Sequence, residues 1–446
     1  MSHSLRGREF SFPLRSAISK LLLILLVGIP AVLVSFQVAK VALAAMYSRR
    51  QDTADLQRAI ALDPENASYD HQLGLVYSYS FDQANLSDAT RYLRKATDLD
   101  PRKALYWSDL GEVCDSVGDT ACSDQAVQRA LSLSPKTPKF VWKAGNHYLQ
   151  TGQTDQALAL FRRLLGMDDT YAQPVFRVCL RVVGNSQAIL QQVMPPGRQT
   201  QLKLAYLNVV SMQGDTDDAS QIWNQISPIG TSVKFSQIRS YVESLIAADD
   251  ITQASAVWRQ LEQTRVIPNS TNGETGNLVY NGQFNHLPLD AGFDWRDPNT
   301  QYVETDFQDP YGEHDSACLR VDYAAGKNLE SEPAYEFVPV MPKHSYRLQA
   351  DVRTDSITSD SGPRLRVLDP VCPACLTAST ETTVGTTPWH QLALDFTTGA
   401  QTRVVRLSVW RVRSRTFPME ISGSFWLDNV SITPLSTKPN EVASRN

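Results

Sequence analysis

Cys372 and Cys375, in the phrase CPAC, form the pattern in this chain best suited to covalent chemistry. Cysteines at this spacing can close a disulfide. Where a neighbouring charge or a helix N-terminus lowers the thiol pKa, they can also exchange electrons with a substrate. Here the pair falls in a turn between two expected strands, with no surrounding βαβ pattern and no second CxxC to complete a zinc site. A loop staple is the preferred reading, and a redox pair the alternative. Cys114 and Cys122 flank Gly118 almost symmetrically, and either pair across that turn or stay as buried thiols. Six cysteines in 446 residues are too few for a disulfide scaffold, yet compatible with an oxidising compartment.

Other reactive constellations do not assemble. The seven histidines are dispersed, and HExxH, GxSxG and P-loop patterns are absent. Asp168/Asp169, Asp217/Asp218 and Asp249/Asp250 sit at expected hairpin turns, where carboxylates begin helices. The chain is therefore expected to be no enzyme, with no catalytic residue, cofactor or metal. A net charge of −5 gives no clustered basic footprint for nucleic acid.

The elements around these residues divide the chain. Gly74, Gly111 and Gly145 recur at intervals of 37 and 34 residues, and Pro64, Pro101 and Pro135 keep the same beat. Each proline stops a helical stretch, since it lacks an N–H and clashes with the preceding turn. A small residue precedes a large one by four positions in Ala89/Leu93, Ala157/Phe161, Ala219/Trp223 and Ala254/Trp258. That pattern lets two helices approach closely and fills the groove beside them. The stretches KALYWSDLGEVCDSVGD and PKFVWKAGNHYLQTGQTDQALALFRRLL resemble the tetratricopeptide-repeat (TPR) family. The resemblance implies an all-α solenoid over residues 48–265, of five to six hairpins, that holds protein partners.

Residues 266–277, VIPNSTNGETGN, have the composition of a linker. Beyond them the period changes to two. Tyr346, Leu348, Ala350 and Val352 alternate with polar residues, as do Val405, Leu407 and Val409. This predicts seven to nine strands in an all-β sandwich over 278–436, followed by a disordered tail at 437–446. LVYNGQF, FVPVMPKHSYRLQADVRTD, TTPWHQLALDFTTG and FWLDNVSITP resemble the galactose-binding-like jelly rolls of carbohydrate-binding modules. The resemblance implies glycan binding, and often a structural calcium. Asn285 stands where an acidic calcium ligand would follow NGxF, which leaves Asp428 without its usual companion. Strand parity points Arg347, Arg364, Arg366, Arg406 and Trp410 outward, with Trp295 in the GFDWR loop closing one end. On one sheet these would form a platform for an acidic polysaccharide, the indole packing on a sugar ring and the arginines meeting carboxylates. The alternative, and the preferred reading, is a solvated sheet face whose arginines maintain solubility and discourage edge pairing.

The N-terminal run between Lys20 and Lys40 carries no charge. At about 1.5 Å per residue it nearly matches a hydrocarbon core of roughly 30 Å, which predicts a transmembrane anchor at 21–43. Arg6, Arg8, Arg15 and Lys20 precede it against Glu9 alone, so residues 1–20 are expected to be a cytoplasmic tail. A cleaved signal peptide is the competing reading, because Ala42-Leu43-Ala44 fits a small-x-small site. Either way the bulk of the chain lies outside the cytoplasm. The whole reads as a multidomain envelope scaffold, with exopolysaccharide or O-antigen assembly as its setting. An accessory enzyme of carbohydrate or redox chemistry, using Cys372/Cys375, is the alternative.

Overall fold

The computed structural model describes residues 17–79, 85–197, 199–226, 233–270, 276–313 and 316–435. The expected cytoplasmic tail up to residue 16, the centre of the linker and the tail at 437–446 lie outside the described residues. The chain divides into two compact units, Met1–Arg198 and Gln199–Asn446.

The first unit is helical. It begins with α1 (Ala17–Ser48), α2 (Thr53–Leu62), α3 (Ala67–Tyr79) and α4 (Leu86–Leu99). It continues with α5 (Ala104–Val117), α6 (Thr120–Leu133), α7 (Pro138–Gln150), α8 (Thr154–Met167), α9 (Ala172–Val183) and α10 (Ser186–Val193). Helix α1 is long and apolar enough to cross a membrane, with a mean hydropathy of 2.6 and its apolar window wholly exposed; a signal sequence has the same character. Its last turns pack against α2 and α3, Ala44 being buried beside Ala59 and Tyr69.

The repeat glycines have a physical partner in each hairpin. A Cβ at Gly74 would approach Leu93 Cγ to 2.7 Å, and one at Gly145 would approach Phe161 Cε1 to 2.4 Å. At Gly111 the neighbour is Val127, at 3.2 Å. The periodic glycine thus lies beneath the large residue of the hairpin's second helix. Helices α4, α6 and α10 start on side-chain caps: Asn85 accepts from Asp88 N, Asp119 from Cys122 N and Asn185 from Ala188 N, whereas Gln153 gives α8 no such bond. Each cap contributes about 1 kcal/mol.

The second unit joins two hairpins to a β-sandwich. The hairpins are α11 (Gln199–Ser211) with α12 (Thr216–Asn224), and α13 (Arg239–Ala247) with α14 (Ile251–Gln263). Strands β1 (Val303–Asp309), β2 (Cys318–Lys327), β3 (Ser331–Pro339), β4 (Ser345–Ile357) and β5 (Arg364–Leu368) come next. The last four are β6 (Thr377–Ser379), β7 (Gly385–Thr397), β8 (Val404–Arg411) and β9 (Ile421–Pro434). They form two antiparallel sheets, ordered β1-β2-β9-β4-β7 and β3-β8-β5-β6. The core between them takes Leu348, Ala350 and Val352 from one sheet and Val405, Leu407 and Val409 from the other.

The last hairpin is built into the sandwich. Trp258 of α14 meets the rings of Tyr280 and Phe293 edge-on, at centroid distances of 5.1 and 5.7 Å. Glu243 of α13 takes both terminal nitrogens of Arg296 at 3.0 Å. These contacts place α11–α14 in the same compact unit as the sheets, although their sequence continues the repeat pattern.

Candidate partner groove and candidate glycan face

The 34-residue repeat sets equivalent positions of α5 and α7 side by side. Asp109 and Lys143, 34 residues apart, bond at 3.0 Å, and Lys143 also reaches Glu112 at 2.6 Å. His71 of α3 meets the other oxygen of Asp109 at 2.8 Å, so one network crosses three successive hairpins. Burial alone would raise the Asp109 carboxyl, but His71 and Lys143 outweigh it and hold it below the usual carboxylate range. Burial likewise disfavours the Lys143 cation, and Glu112 and Asp109 more than restore it.

Beside this network α5 and α7 enclose an open cleft of about 670 Å³, lined by Glu112, Ser116, Lys139, Trp142, Asn146 and Gln150 among others. Its floor is fixed by His147, which is buried and bonds Asp115 at 2.9 Å through Nδ1 and Asp124 at 2.7 Å through Nε2. Ser123 also touches the ring, at 2.9 Å. Its hydroxyl donates to Asp115, and the side chain is fully buried. The cluster therefore ties α5, α6 and α7 together rather than offering a nucleophile. A polar, open trough with an indole on its wall suits an extended peptide, whose backbone and side chains both need hydrogen bonds. Nothing in the composition marked this network; the signal lay in the repeat spacing, which pairs Asp109 with Lys143.

Both candidate cysteine pairs are closed. Cys114 bonds Cys122, joining the end of α5 to the start of α6. Cys372 bonds Cys375 across a turn in which Cys375 N donates to Cys372 O at 2.8 Å. Asp369 anchors that turn, accepting from the amides of Val371 and Cys372 at 2.9 Å and from Thr402 Oγ1 at 2.6 Å. Cys179 and Cys318 are free and buried, and burial pushes each thiol up to about 12.

The residues expected to form the glycan platform do not share one surface. Trp295 is 0% exposed, its ring tilted against Phe284 and its Nε1 donating to Asn281 O at 3.2 Å, so it is a core residue and closes no surface. Arg347 lies on β4, in the other sheet, and is held by Asp395 through two contacts of 2.7 Å. Arg364, Arg366, Arg406 and Trp410 do share the outer face of β5 and β8. There the Arg366 guanidinium lies 3.4 Å from the Trp410 ring centroid and Arg406 lies 3.9 Å from that of Tyr335. Glu332 bonds both arginines, at 2.7 Å to Arg366. The indole presents a guanidinium-covered face, and the charge of the two arginines is partly spent within the protein.

Strand β3 explains what the parity argument missed. Its ladder slips between Ser331 and Ala334, across Pro333, and the slip turns Tyr335 and Phe337 outward and Glu336 inward. Pro333 was the available signal, because proline within a strand marks an edge or a bulge. Glu336 is fully buried, with neither oxygen in good hydrogen-bond geometry. Burial, and then nearby Asp294, raise its carboxyl well above the ordinary range, and the Tyr280 amide offsets only part of this. Burial also raises Asp294, to about 6. Asp428, the residue expected to lack its calcium companion, accepts from Ser316 Oγ at 2.9 Å and from Glu313 N at 3.1 Å. Among the described residues no three His, Cys, Asp or Glu side chains gather to hold a metal.

No protein-family model matches the chain, and no curated protein matches it. Comparison with solved structures gives partial matches at low identity. A crystal structure of MamA is 17% identical, covers 39% of this chain and 84% of its own, and superposes with a TM-score of 0.27. PilF of Pseudomonas aeruginosa is 18% identical over 53% of this chain and 95% of its own, with a TM-score of 0.29. A CBM4 module is 12% identical over 35% of this chain and 99% of its own, with a TM-score of 0.27. The chain combines an all-α helical repeat with a β-sandwich of two antiparallel sheets.

Proposed function

We propose that this chain is a membrane-anchored scaffold of the cell envelope, its bulk outside the cytoplasm, which holds a protein partner in the α5–α7 groove. The observation that carries the reading is that groove: open, polar, walled by Trp142 and braced underneath by His147 and the Asp109–Lys143 network. The uncleaved anchor is supported by Ala44, which is buried against Ala59 and Tyr69 and which cleavage after Ala44 would remove from that contact. The role of the sandwich is contact with an acidic polysaccharide, as its exposed arginines favour, in exopolysaccharide or O-antigen assembly. A redox accessory role for Cys372/Cys375 is the rival, and exposure of Cys375 is what favours it.

Co-purification of the detergent-extracted chain tests the groove. Lys139→Glu with Gln150→Lys changes two exposed groove side chains without touching the buried network. The wild type should retain a partner that this variant loses, at an unchanged melting temperature. Equal recovery by both would refute the groove. Protease added to spheroplasts should digest everything after residue 50, and protection there would refute the topology. Retained function of Cys372→Ser would remove the redox rival.

A further inference from the structure

We propose that the loop between β8 and β9, residues 412–419, is the contact site for an acidic polysaccharide. This rests on the reading of the sandwich as glycan-binding and moves the site away from the sheet face. Recognition of such a polymer needs an open apolar surface for the sugar ring and unspent cations for its carboxylates. The sheet face supplies neither freely, since Arg366 covers Trp410 and Glu332 engages Arg366 and Arg406. The loop supplies both. Phe417 is 92% exposed, and Val412 and Met419 are exposed beside it in the chain. Arg413 and Arg415 project from the same segment, both exposed, and neither forms an ion pair among the described residues.

The loop is also held in shape, which distinguishes it from a slack surface turn. Ser414 is buried, with its amide donating to Asn328 Oδ1 at 2.9 Å and its hydroxyl to Asp360 Oδ1 at 2.5 Å. Thr416 donates to the other oxygen of Asp360 at 2.5 Å. Val412 O accepts from Ser361 Oγ at 2.7 Å, and Met419 O accepts from the buried Arg411 at 3.2 Å. Clamped at both ends and in the middle, the segment presents Phe417 and two arginines with little ordering entropy left to lose on binding. Charge complementarity selects the ligand: two exposed cations in the same held loop as an exposed aromatic ring fit a carboxylated sugar better than a neutral one.

The test uses the full chain in detergent, with alginate as the carboxylated probe, dextran as the neutral control and vesicles containing phosphatidylglycerol as a competing anionic surface. The wild type should bind alginate, more weakly as salt rises, and should not bind dextran. Arg413→Ser with Arg415→Ser should weaken binding at least about tenfold, given that each charge-assisted hydrogen bond is a strong one. Phe417→Ala should weaken it several-fold, and all three substitutions should leave the melting temperature unchanged. Trp410→Ala should instead lower that temperature and keep the affinity. If the wild type binds alginate and the loop variants bind it equally well, the loop site is wrong while the glycan reading stands. If the wild type binds no alginate, both fail. Loop-dependent binding to vesicles but not to alginate would make the loop a lipid contact and overturn the proposal.

Discussion

Gly145 and Gly292 each stand beneath an aromatic ring, and the two contacts hold together different kinds of structure. Gly145 lies within one helical hairpin, where a Cβ would come 2.4 Å from Phe161. Gly292 lies in the sandwich's opening loop, where a Cβ would come 2.0 Å from Trp258 of α14. The first contact recurs along the repeat and so was visible as a 34-residue beat. The second joins a hairpin to a sheet domain, occurs once and has no period to betray it. Gly292 also has a φ of 62°, a backbone state that side-chain-bearing residues adopt at a cost. Local repetition is legible in a sequence, whereas a junction between two architectures is a single coincidence of side chains.

Gly292→Leu should have the largest effect, adding about 1–2 kcal/mol of left-handed strain to about 1–3 kcal/mol of overpacking. It should lower the melting temperature of Gln199–Asn446 and make the segment after α14 sensitive to protease. Gly145→Leu carries only the overpacking and should destabilise the helical unit by less. If Gly145→Leu proved the more damaging of the two, the last hairpin would not be anchored to the sandwich in the way described.

A smaller effect, of opposite sign, is expected at Glu336. Its folded-state pKa is raised, so its contribution is fully present below the unfolded carboxyl value and is lost as pH rises through the folded one. Asp294 acts in the same direction, its loss running up from the ordinary carboxyl range and complete above about pH 6. Glu336→Gln removes the buried acid while keeping its shape. The variant should match the wild type near pH 4 and melt about 2–4 °C higher at pH 8, the shift that about 1 kcal/mol produces in a unit of this size. Equal melting of the two proteins at pH 8 would place Glu336 in contact with solvent or a partner group. Phe417→Ala should give the smallest change, none within error, because a side chain 92% exposed has no packing to lose. A clear loss of stability there would show that the loop's apolar residues cover something.

Most of the helical fold and the alternation of the central strands could be read directly. Tyr346 to Val352 and Val405 to Val409 face the core as their period implies, because one-sided burial fixes strand register. The acidic turns also behave as read, Asp250 capping α14 by accepting from Gln253 N. The outer face was less legible. Outward parity says nothing about which sheet a strand joins, so Arg347 and Arg366 could not be separated beforehand. Nor does it say whether an outward side chain is already engaged, as Trp410 is by Arg366. Trp295 looked like a loop residue and is core because its loop folds back over Phe284. Tyr335 was missed because a one-residue slip at Pro333 reverses the parity of everything after it, and Glu332, just before the slip, because parity does not show which outward side chains pair.

The scaffold reading stands or falls on occupancy of the α5–α7 groove. A photo-crosslinking amino acid placed at Gln150, on the groove wall, and in a second protein at Thr90, on α4 and outside that groove, tests it in intact cells. The account predicts a discrete crosslinked protein at Gln150, absent at Thr90 and abolished by Lys139→Glu. Crosslinks of equal yield at both positions, or at Thr90 alone, would contradict it.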